Sequence, residues 1–489
     1  MPTPLLLAGL VIVACGLWVP VARVSESQGD VTYGLSDQDG RFILNLEPGA
    51  YILVASMKGF EPVELAVTHP AAAPVTLQLA APLVQGEPGA EVINALRAEA
   101  RALHGIDPNL PMDDLAALQP ALASARIVAL GEATHGSHEL FVLKHRLVRF
   151  LVERMGFNTF AIEAGFSAAL KVNDYVLWGK GDSAAAIAGL HVWTWDTEEV
   201  AELVQWMRGY NQDPLHRRKV KFVGLDMQFS SDEALALATY LGKLDPALAA
   251  SLKPLEDRSL VGRDDPLPIE KGKALLQIAD AVCARLGGQQ GEEGIVAVRQ
   301  AAILRQSILA MIAPSHLEGA ILRDAAMAAN ALWLLENQGP AGKMILWAHN
   351  AHVATRGYPA EYVTMGASLR EALGPQLYVI GLLFNQGALR ARSPGVTDTG
   401  VLVHQVPPAP SASVEGVLAR VGLPLFAVDL RASALELWKE NRGSRSVGSL
   451  YAPKMPLEAI IPRATYDGII FVDRITASRP TRTGERRPR

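Results

Sequence analysis

The stretch "RIVALGEATHGSHEL", residues 126–140, joins a short apolar run to a cluster of ionisable side chains. Four apolar residues are followed by Gly-Glu and then by two histidines three residues apart, His135 and His138. An apolar run of this length is typical of a buried strand, and a polar group directly after it lies where strands of α/β proteins present ligand-binding residues.

Six further apolar runs separate helical patterns along the chain: "NTFAIEA", "VKFVGLD", "KMILWAH", "QLYVIGLLF", "LPLFAVDL" and "DGIIFVD". Near-continuous apolar strands alternating with helices predict an α/β fold with a mainly parallel sheet and flanking helices. Residues 232–340 show helical periodicity only, so we expect an inserted helical lobe there.

The first four predicted strands each end in an ionisable residue, namely Glu132, Glu163, Asp226 and His349. Because the carboxyl ends of parallel strands meet at one edge of the sheet, these residues predict a single pocket.

His135 is the strongest candidate for a general base. Glu132 stands three residues before it, and a carboxylate beside an imidazole fixes its tautomer and raises its basicity. Burial of Glu163 would raise the pKa of its carboxyl, and pairing with an arginine or lysine is the structural alternative. His349 and His352 of "WAHNAHV" could bind a metal, cap a helix or donate to a developing oxyanion.

The predicted helix that follows His135 is amphipathic and carries basic residues. His138 and His145 are seven residues apart on one face, and His138 is interpreted as a helix-face residue near the pocket. Lys144 and Arg146 form a solvated face or pair with a catalytic carboxylate.

Two other chemistries are alternatives to the histidine base. "GFSAA" (165–169) approximates the G-x-S-x-G nucleophile elbow around Ser167, but the last glycine is missing. Two H-x-x-H pairs could hold a metal, although helix-borne zinc sites usually have histidines four residues apart. We therefore expect no cofactor, with a divalent metal as the alternative.

Composition excludes several classes of protein. The 489 residues carry a net charge of −5 and contain two cysteines, Cys15 and Cys283, outside any C-x-x-C pattern. A nucleic-acid footprint, a disulfide framework and a cysteine zinc site are therefore not expected. No sequence feature determines the oligomeric state.

The N-terminus predicts export. Residues 5–19 form an apolar stretch of the length of a secretory core, and "IVAC", ending at Cys15, resembles a lipoprotein cleavage site. We expect a periplasmic, secreted or lipid-anchored bacterial protein, with possible membrane attachment through lipidated Cys15.

We divide the chain as follows. A leader spans residues 1–22, a small all-β sandwich 23–82, a linker 83–94, a catalytic domain 95–477 and a disordered basic tail 478–489. The passage "SDQDGRFILNLEPGAYILVASMKGFEP" resembles the regulatory-like β-sandwich module of carboxypeptidases.

Six ordered blocks resemble the erythromycin esterase family. They are "GEATHGSHELFVLKHRLVRFLVERMGF", "FAIEAGFSAALKVNDYV", "HVWTWDTEEVAELVQWMRGYN", "VKFVGLDMQ", "RDAAMAANALWLLE" and "WAHNAHVA", within residues 95–475. The resemblance implies a deep cleft at the strand ends and hydrolysis of an ester, a macrolide lactone in the named members, by a histidine-activated water without a covalent intermediate. It implies His135 as the base, Glu132 and Glu163 orienting it or binding the water, and His349 and His352 completing the site. Arg323 matches a family arginine expected to pair with a pocket carboxylate.

The expected partner is thus a small-molecule ester or lactone. Three alternatives stay open: a metal-dependent hydrolase, a transferase or biosynthetic enzyme acting on esterified polysaccharide, and an inactive exported binding protein.

Overall fold

The computed structural model describes residues 10–11, 20–25, 31–35, 41–42, 49–55, 63–69, 83–228, 231–257, 267–357, 362–393 and 400–481. The chain forms two compact units, Met1–Val84 and Gln85–Arg489.

The described part of the N-terminal unit consists of six short strands. They are β1 (Leu10–Val11), β2 (Pro20–Ser25), β3 (Val31–Leu35), β4 (Arg41–Phe42), β5 (Gly49–Ala55) and β6 (Val63–His69). Four pair antiparallel in the order β3-β2-β5-β6, and β1 pairs with β4. Tyr51 and Leu53 of β5 are buried. The sandwich module remains a prediction, since much of its chain lies outside the described residues.

Other predictions for the chain termini also fall outside this description. Cys15 and most of the apolar leader are among the residues not described, so export and lipid attachment remain predictions of the sequence. Among the described helices, none combines the length and apolar character needed to cross a membrane.

Eleven described strands belong to the second unit. They are β7 (Arg101–Ala102), β8 (Ile127–Leu130), β9 (Thr159–Gly165), β10 (Lys221–Asp226), β11 (Met344–Trp347), β12 (Leu377–Ala391), β13 (Leu402–Val406), β14 (Leu425–Asp429), β15 (Arg442–Ser444), β16 (Glu458–Ile460) and β17 (Gly468–Ile475).

Nine of these strands form one mixed sheet in the order β10-β9-β11-β8-β12-β17-β14-β7, with β13 paired to the outer part of β12. The six strands from β10 to β17 in this order are parallel, and β14 is antiparallel to both of its neighbours. All seven apolar runs singled out in the sequence are strands of this sheet, and the predicted α/β fold with a mainly parallel sheet is confirmed.

Sixteen described α-helices accompany the sheet. They are α1 (Ala90–Glu99), α2 (Asp113–Ala116), α3 (Gln119–Leu122), α4 (His138–Met155), α5 (Phe166–Trp178), α6 (Ser183–Ala188), α7 (Glu198–Gln212), α8 (Ser231–Leu241), α9 (Pro246–Ser251), α10 (Ile269–Leu286), α11 (Gly291–Met311), α12 (His316–Glu336), α13 (Asn350–Val353), α14 (Met365–Leu373), α15 (Val414–Ala419) and α16 (Pro462–Thr465).

Helices α8 to α12 lie between β10 and β11 in the chain, where only helical periodicity was predicted. Apolar residues of α8, α10 and α11 form a core of their own, separate from the core around the sheet. Met327 and Ala331 of α12 pack instead into the main core. Helix α12 therefore connects the helical lobe with the sheet.

The turn from β8 into α4 is built by local sequence. The Ser137 side chain accepts a hydrogen bond from the Leu140 amide and caps α4, and Gly156, at φ 74°, ends it in the left-handed conformation that favours glycine. Glu132 and His135 consequently lie on the short connection between a buried strand and a capped helix.

The C-terminal segment differs from its prediction. Residues 478–481, expected to be part of a disordered tail, are held by backbone hydrogen bonds: Ser478 donates to Gly136 O and Thr481 to Asp196 O. The remainder of the predicted tail, residues 482–489, lies outside the described residues.

Candidate active site

Glu132 and His135 form a buried carboxylate–imidazole pair. Glu132 Oε1 lies 3.0 Å from His135 Nδ1, and Glu132 is fully buried. The carboxylate places the imidazole proton on Nδ1, which leaves the lone pair on Nε2. No hydrogen-bond partner of Nε2 is found among the described residues, so this nitrogen is available to a bound molecule.

The His135 imidazole is neutral at ordinary pH. Burial lowers its pKa to about 4, and the charge of Glu163 acts in the opposite direction. The His135 ring packs against the edge of Trp195, with ring centroids 5.7 Å apart, and lies 5.1 Å from the ring of His349.

Lys144 stands behind Glu132. Its ammonium contacts Glu132 Oε2, lies 4.5 Å from the centre of the Trp347 ring, and is fully buried. The second oxygen of Glu132 is thereby engaged, and Glu132 cannot rotate away from His135 without leaving Lys144 unpaired.

Glu163 is the centre of a second buried cluster, formed with Asp226, Arg323, Asp324 and His352. Glu163 Oε1 accepts a 2.7 Å hydrogen bond from Arg323 Nη2, and Oε2 accepts from the backbone amide of His349 at 3.0 Å. Burial opposes ionisation of Glu163, but the positive charges of His352 and Arg323 outweigh it and hold its pKa well below the usual range. Glu163 is therefore an ionised carboxylate rather than a neutral acid.

Arg323, on α12, joins the ends of β9 and β10. Its guanidinium bonds both oxygens of Asp226, at 3.1 and 2.8 Å, in addition to Glu163. The paired carboxylates keep the pKa of Arg323 above its usual value despite burial. One cation thus neutralises two strand-end carboxylates that would otherwise repel each other.

His352 is the cationic counterpart of His135. Its Nδ1 contacts Asp324 Oδ1, and its Nε2 lies 3.4 Å from Glu163 Oε1. Burial disfavours the imidazolium, yet the charges of Glu163 and Asp324 raise the pKa of His352 to about 10. Arg323 Nη1 lies 3.2 Å from His352 Nε2, so two positively charged groups are adjacent at the Glu163 carboxylate.

His349 is engaged by the backbone. Its Nδ1 lies 3.1 Å from the Ala351 amide nitrogen and caps α13, and its Nε2 lies 3.1 Å from the Gly448 amide nitrogen. Burial, followed by the charges of His135 and His352, holds the pKa of His349 well below its usual range. Metal binding, helix capping and donation to an oxyanion were the roles predicted for His349, and the structure shows the helix cap.

The structure places two other candidates, Arg146 and His138, outside these clusters. Arg146 is buried but bonds Asp114 and the carbonyls of Gly105 and Pro111 rather than Glu132 or Glu163. His138 Nδ1 lies 2.7 Å from Glu199 Oε1 on α7. Of the two basic residues considered as partners of a carboxylate, Lys144 alone reaches one of the strand-end groups.

Ser167 has no geometry of an activated nucleophile. Its hydroxyl accepts from Gln300 Nε2 at 3.0 Å, and its amide donates to Glu233 Oε1 at 2.9 Å. None of its hydrogen-bond partners among the described residues is an imidazole, which the nucleophile–base arrangement requires.

Two residues of the site were missed by sequence reasoning. Trp195 Nε1 donates to the Glu163 carbonyl at 2.8 Å while its ring contacts His135. Asp324 directly follows Arg323 in the chain and contacts His352. Trp195 lies in the block "HVWTWD" and Asp324 in the block "RDAAM", but no periodicity indicates that either residue faces the pocket.

Among the described residues, no group of three or more histidine, cysteine or acidic side chains has an arrangement that could hold a metal ion. The cation between the strand-end carboxylates is the guanidinium of Arg323.

The mainly parallel sheet carries histidine–carboxylate pairs at its strand ends, which is where α/β proteins bind their ligands. The sequence model of the erythromycin esterase family matches residues 152–475, about two thirds of the chain, and the protein belongs to this family of hydrolases. The match begins after His135, so the Glu132–His135 pair lies outside it.

Individual relatives extend this comparison. The Bacillus subtilis protein YbfO is 26% identical over 414 residues, covering 76% of this chain and 88% of that protein. Erythromycin esterase type II of Escherichia coli is 27% identical over 326 residues, covering 59% and 76%.

Solved structures show the same fold. A succinoglycan biosynthesis protein superimposes with a TM-score of 0.70 at 26% identity, covering 80% of this chain and 98% of that one. An erythromycin esterase mutant in its open conformation gives a TM-score of 0.58 at 17% identity, covering 77% and 97%.

Proposed function

We propose that this protein hydrolyses a carboxylic ester or lactone by means of a water molecule activated by His135. The observation that carries the proposal is the 3.0 Å contact between Glu132 Oε1 and His135 Nδ1, which leaves Nε2 as a base. A neutral, oriented imidazole is the group that general-base catalysis at neutral pH requires.

In the proposed reaction, His135 Nε2 removes a proton from water as the water oxygen attacks the ester carbonyl. The imidazolium formed is stabilised by Glu132, whose own position is fixed by Lys144. The proton then passes to the departing alkoxide, and the products are a carboxylic acid and an alcohol. No bond forms between the protein and the acyl group.

Positive charge lies close to the base. Arg323 and the His352 imidazolium meet at Glu163 Oε1, and their charges also act on His135. Cations beside the reacting carbonyl would stabilise the anion that develops on its oxygen.

A second candidate is an enzyme of polysaccharide biosynthesis that acts on an esterified chain. It is supported by the similarity to the succinoglycan biosynthesis protein, which at 26% identity matches nearly its full length. The same His135 base would then activate a sugar hydroxyl instead of water.

The test is a panel of esters, including a macrolide lactone, small alkyl esters and an acylated polysaccharide, assayed with wild type and His135→Gln. We expect His135→Gln to lower kcat at least 100-fold, whereas His104→Gln, at an exposed histidine, leaves it unchanged. Equal activity of wild type and His135→Gln, or cleavage of none of the esters, would overturn the proposal. Acyl transfer to added sugar without net hydrolysis would favour the second candidate.

Two further measurements distinguish the histidine-base mechanism from the serine-nucleophile and metal-dependent alternatives. Hydrolysis in ¹⁸O-labelled water with Ser167→Ala should proceed at the wild-type rate, because Ser167 bonds Gln300 and Glu233 rather than a base. Loss of activity on dialysis against a chelator, restored by zinc, would instead establish the metal-dependent alternative.

A further inference from the structure

The C-terminal segment, residues 476–481, bridges the two loops that carry His135 and Trp195. We call this segment the C-terminal strap. It follows β17 directly and lies beyond residue 475, where the match to the family ends.

One half of the strap pairs with the His135 loop. Ser478 N donates to Gly136 O at 2.9 Å, and His138 N donates to Thr476 O at 2.9 Å, on either side of an antiparallel bridge between Ser137 and Ala477. The Thr476 hydroxyl adds a 2.7 Å bond to Glu139 Oε1.

The other half pairs with the Trp195 loop. Glu198 N donates to Arg479 O at 2.8 Å and Thr481 N to Asp196 O at 3.1 Å, flanking a bridge between Thr197 and Pro480. Arg479 N donates to Glu199 Oε1 at 3.1 Å, the same oxygen that faces His138 Nδ1.

The two loops meet at the active site. The Trp195 ring contacts the His135 ring, and Trp195 Nε1 is bonded to the Glu163 carbonyl. The position of His135 relative to Glu163 therefore depends on how the two loops are joined, and the strap makes backbone hydrogen bonds to both.

We propose that the C-terminal strap is a positioning segment that fixes the His135 imidazole against Trp195 and keeps it out of water. This inference rests on the proposed function only for its effect on rate. The orientation and burial of His135 can be measured without any substrate.

The matched test is Ser478→Pro against Ser478→Ala. Proline removes the amide that donates to Gly136 O, whereas alanine keeps it and removes only a hydroxyl that has no hydrogen-bond partner among the described residues. The titratable and charged groups facing His135 are the same in both variants, namely Glu132, Glu163, His349, His352 and Arg323.

The readout is the NMR titration of ¹³C-labelled histidine, with the His135 signal assigned by its loss in His135→Gln. Burial lowers the pKa of His135 to about 4, so hydration of a displaced ring should raise its midpoint by at least one pH unit in Ser478→Pro and not in Ser478→Ala. An unchanged midpoint in a folded Ser478→Pro protein would overturn the proposal.

Thr476→Val supplies a second, milder variant if Ser478→Pro does not fold, because it removes the hydroxyl bond to Glu139 Oε1 and keeps the amide that donates to Glu139 Oε2. We expect a smaller shift of the His135 midpoint in the same direction, and no shift overturns the proposal. On a cleaved ester, the strap variants should lower kcat about tenfold with KM changed less than threefold. If no ester is cleaved, the titration still decides the role of the strap, so its failure is distinguishable from failure of the proposed function.

Discussion

Lys144 and Glu132 form an ion pair in which both side chains are fully buried. The pair lies beneath His135, and the aromatic ring of Trp347 covers the ammonium on another side. Such a pair is weak evidence for stability by itself, but removing one partner leaves an uncompensated charge in the interior.

Lys144→Met should therefore destabilise the second unit by about 3–5 kcal/mol. Lys243→Met, at an exposed lysine on the helical lobe, should change stability by less than about 0.5 kcal/mol. Urea unfolding followed by tryptophan fluorescence measures both. Equal stability of the two variants would show that Glu132 does not depend on its buried partner.

The pKa of His135 should determine the acid limb of the pH–rate profile. The base must be neutral, so kcat/KM should fall as pH decreases through about 4, the pKa that burial gives His135. The charge of Glu163 raises the pKa of His135, so Glu163→Gln should move the acid limb to lower pH. This shift is expected even if the substitution also lowers the maximum kcat/KM. Glu202→Gln, at an exposed residue of α7, should leave the limb in place. A limb near 6.5 in the wild type would show that His135 is not buried in the active state.

The sheet was predictable because strand formation depends on short-range pattern. A run such as "IVAL" is apolar on both faces only when helices cover both faces of the sheet. The polar residue at each strand end could likewise be placed at one sheet edge, and Glu132, Glu163, Asp226 and His349 do lie there.

Pairing among the site residues could not be predicted in the same way. Lys144 and Arg146 are two residues apart on α4, yet Lys144 reaches Glu132 and Arg146 reaches Asp114. Residues two apart on a helix point in different directions, and the partner of each depends on which neighbour packs there. The strap was missed for a related reason, since its composition is that of a tail and its bonds to the His135 and Trp195 loops are made largely by the backbone.

The bond between Arg323 and its two carboxylates leads to a stability prediction. Arg323→Met should cost about 3–5 kcal/mol because Glu163 and Asp226 are left buried and mutually repelling. Arg305→Met breaks a half-exposed pair with Asp280 on the helical lobe and should cost less than about 1 kcal/mol. Adding Asp226→Asn to Arg323→Met should recover part of the loss in chemical denaturation, and absence of recovery would exclude charge repulsion as its cause.

Glu233 makes stability depend on pH. Burial raises its pKa to about 7, so the folded state binds a proton more tightly than the unfolded state, and stability decreases as pH rises from about 4.5 to 7. Glu233→Gln keeps an acceptor for the Ser167 amide and removes the titration. We expect a gain on the order of 1–3 kcal/mol above pH 7 that vanishes near pH 4.5. Glu293→Gln, at an exposed residue of α11, should show no such pH dependence, and a pH-independent effect of Glu233→Gln would contradict the prediction.

Gly136 and Gly209 should respond to alanine in opposite directions. A Cβ on Gly136 would stand 1.9 Å from the carbonyl oxygen of Arg390, so β12 and the His135 loop would have to separate. Gly136→Ala should therefore lower the thermal midpoint sharply and displace His135. A Cβ on Gly209, within α7, meets no atom within 4 Å, and alanine there should stabilise the helix by about 0.5–1 kcal/mol. Differential scanning calorimetry of both variants measures the direction of each change in thermal midpoint. An unchanged midpoint in Gly136→Ala would show that the His135 loop and β12 are not in close contact in solution.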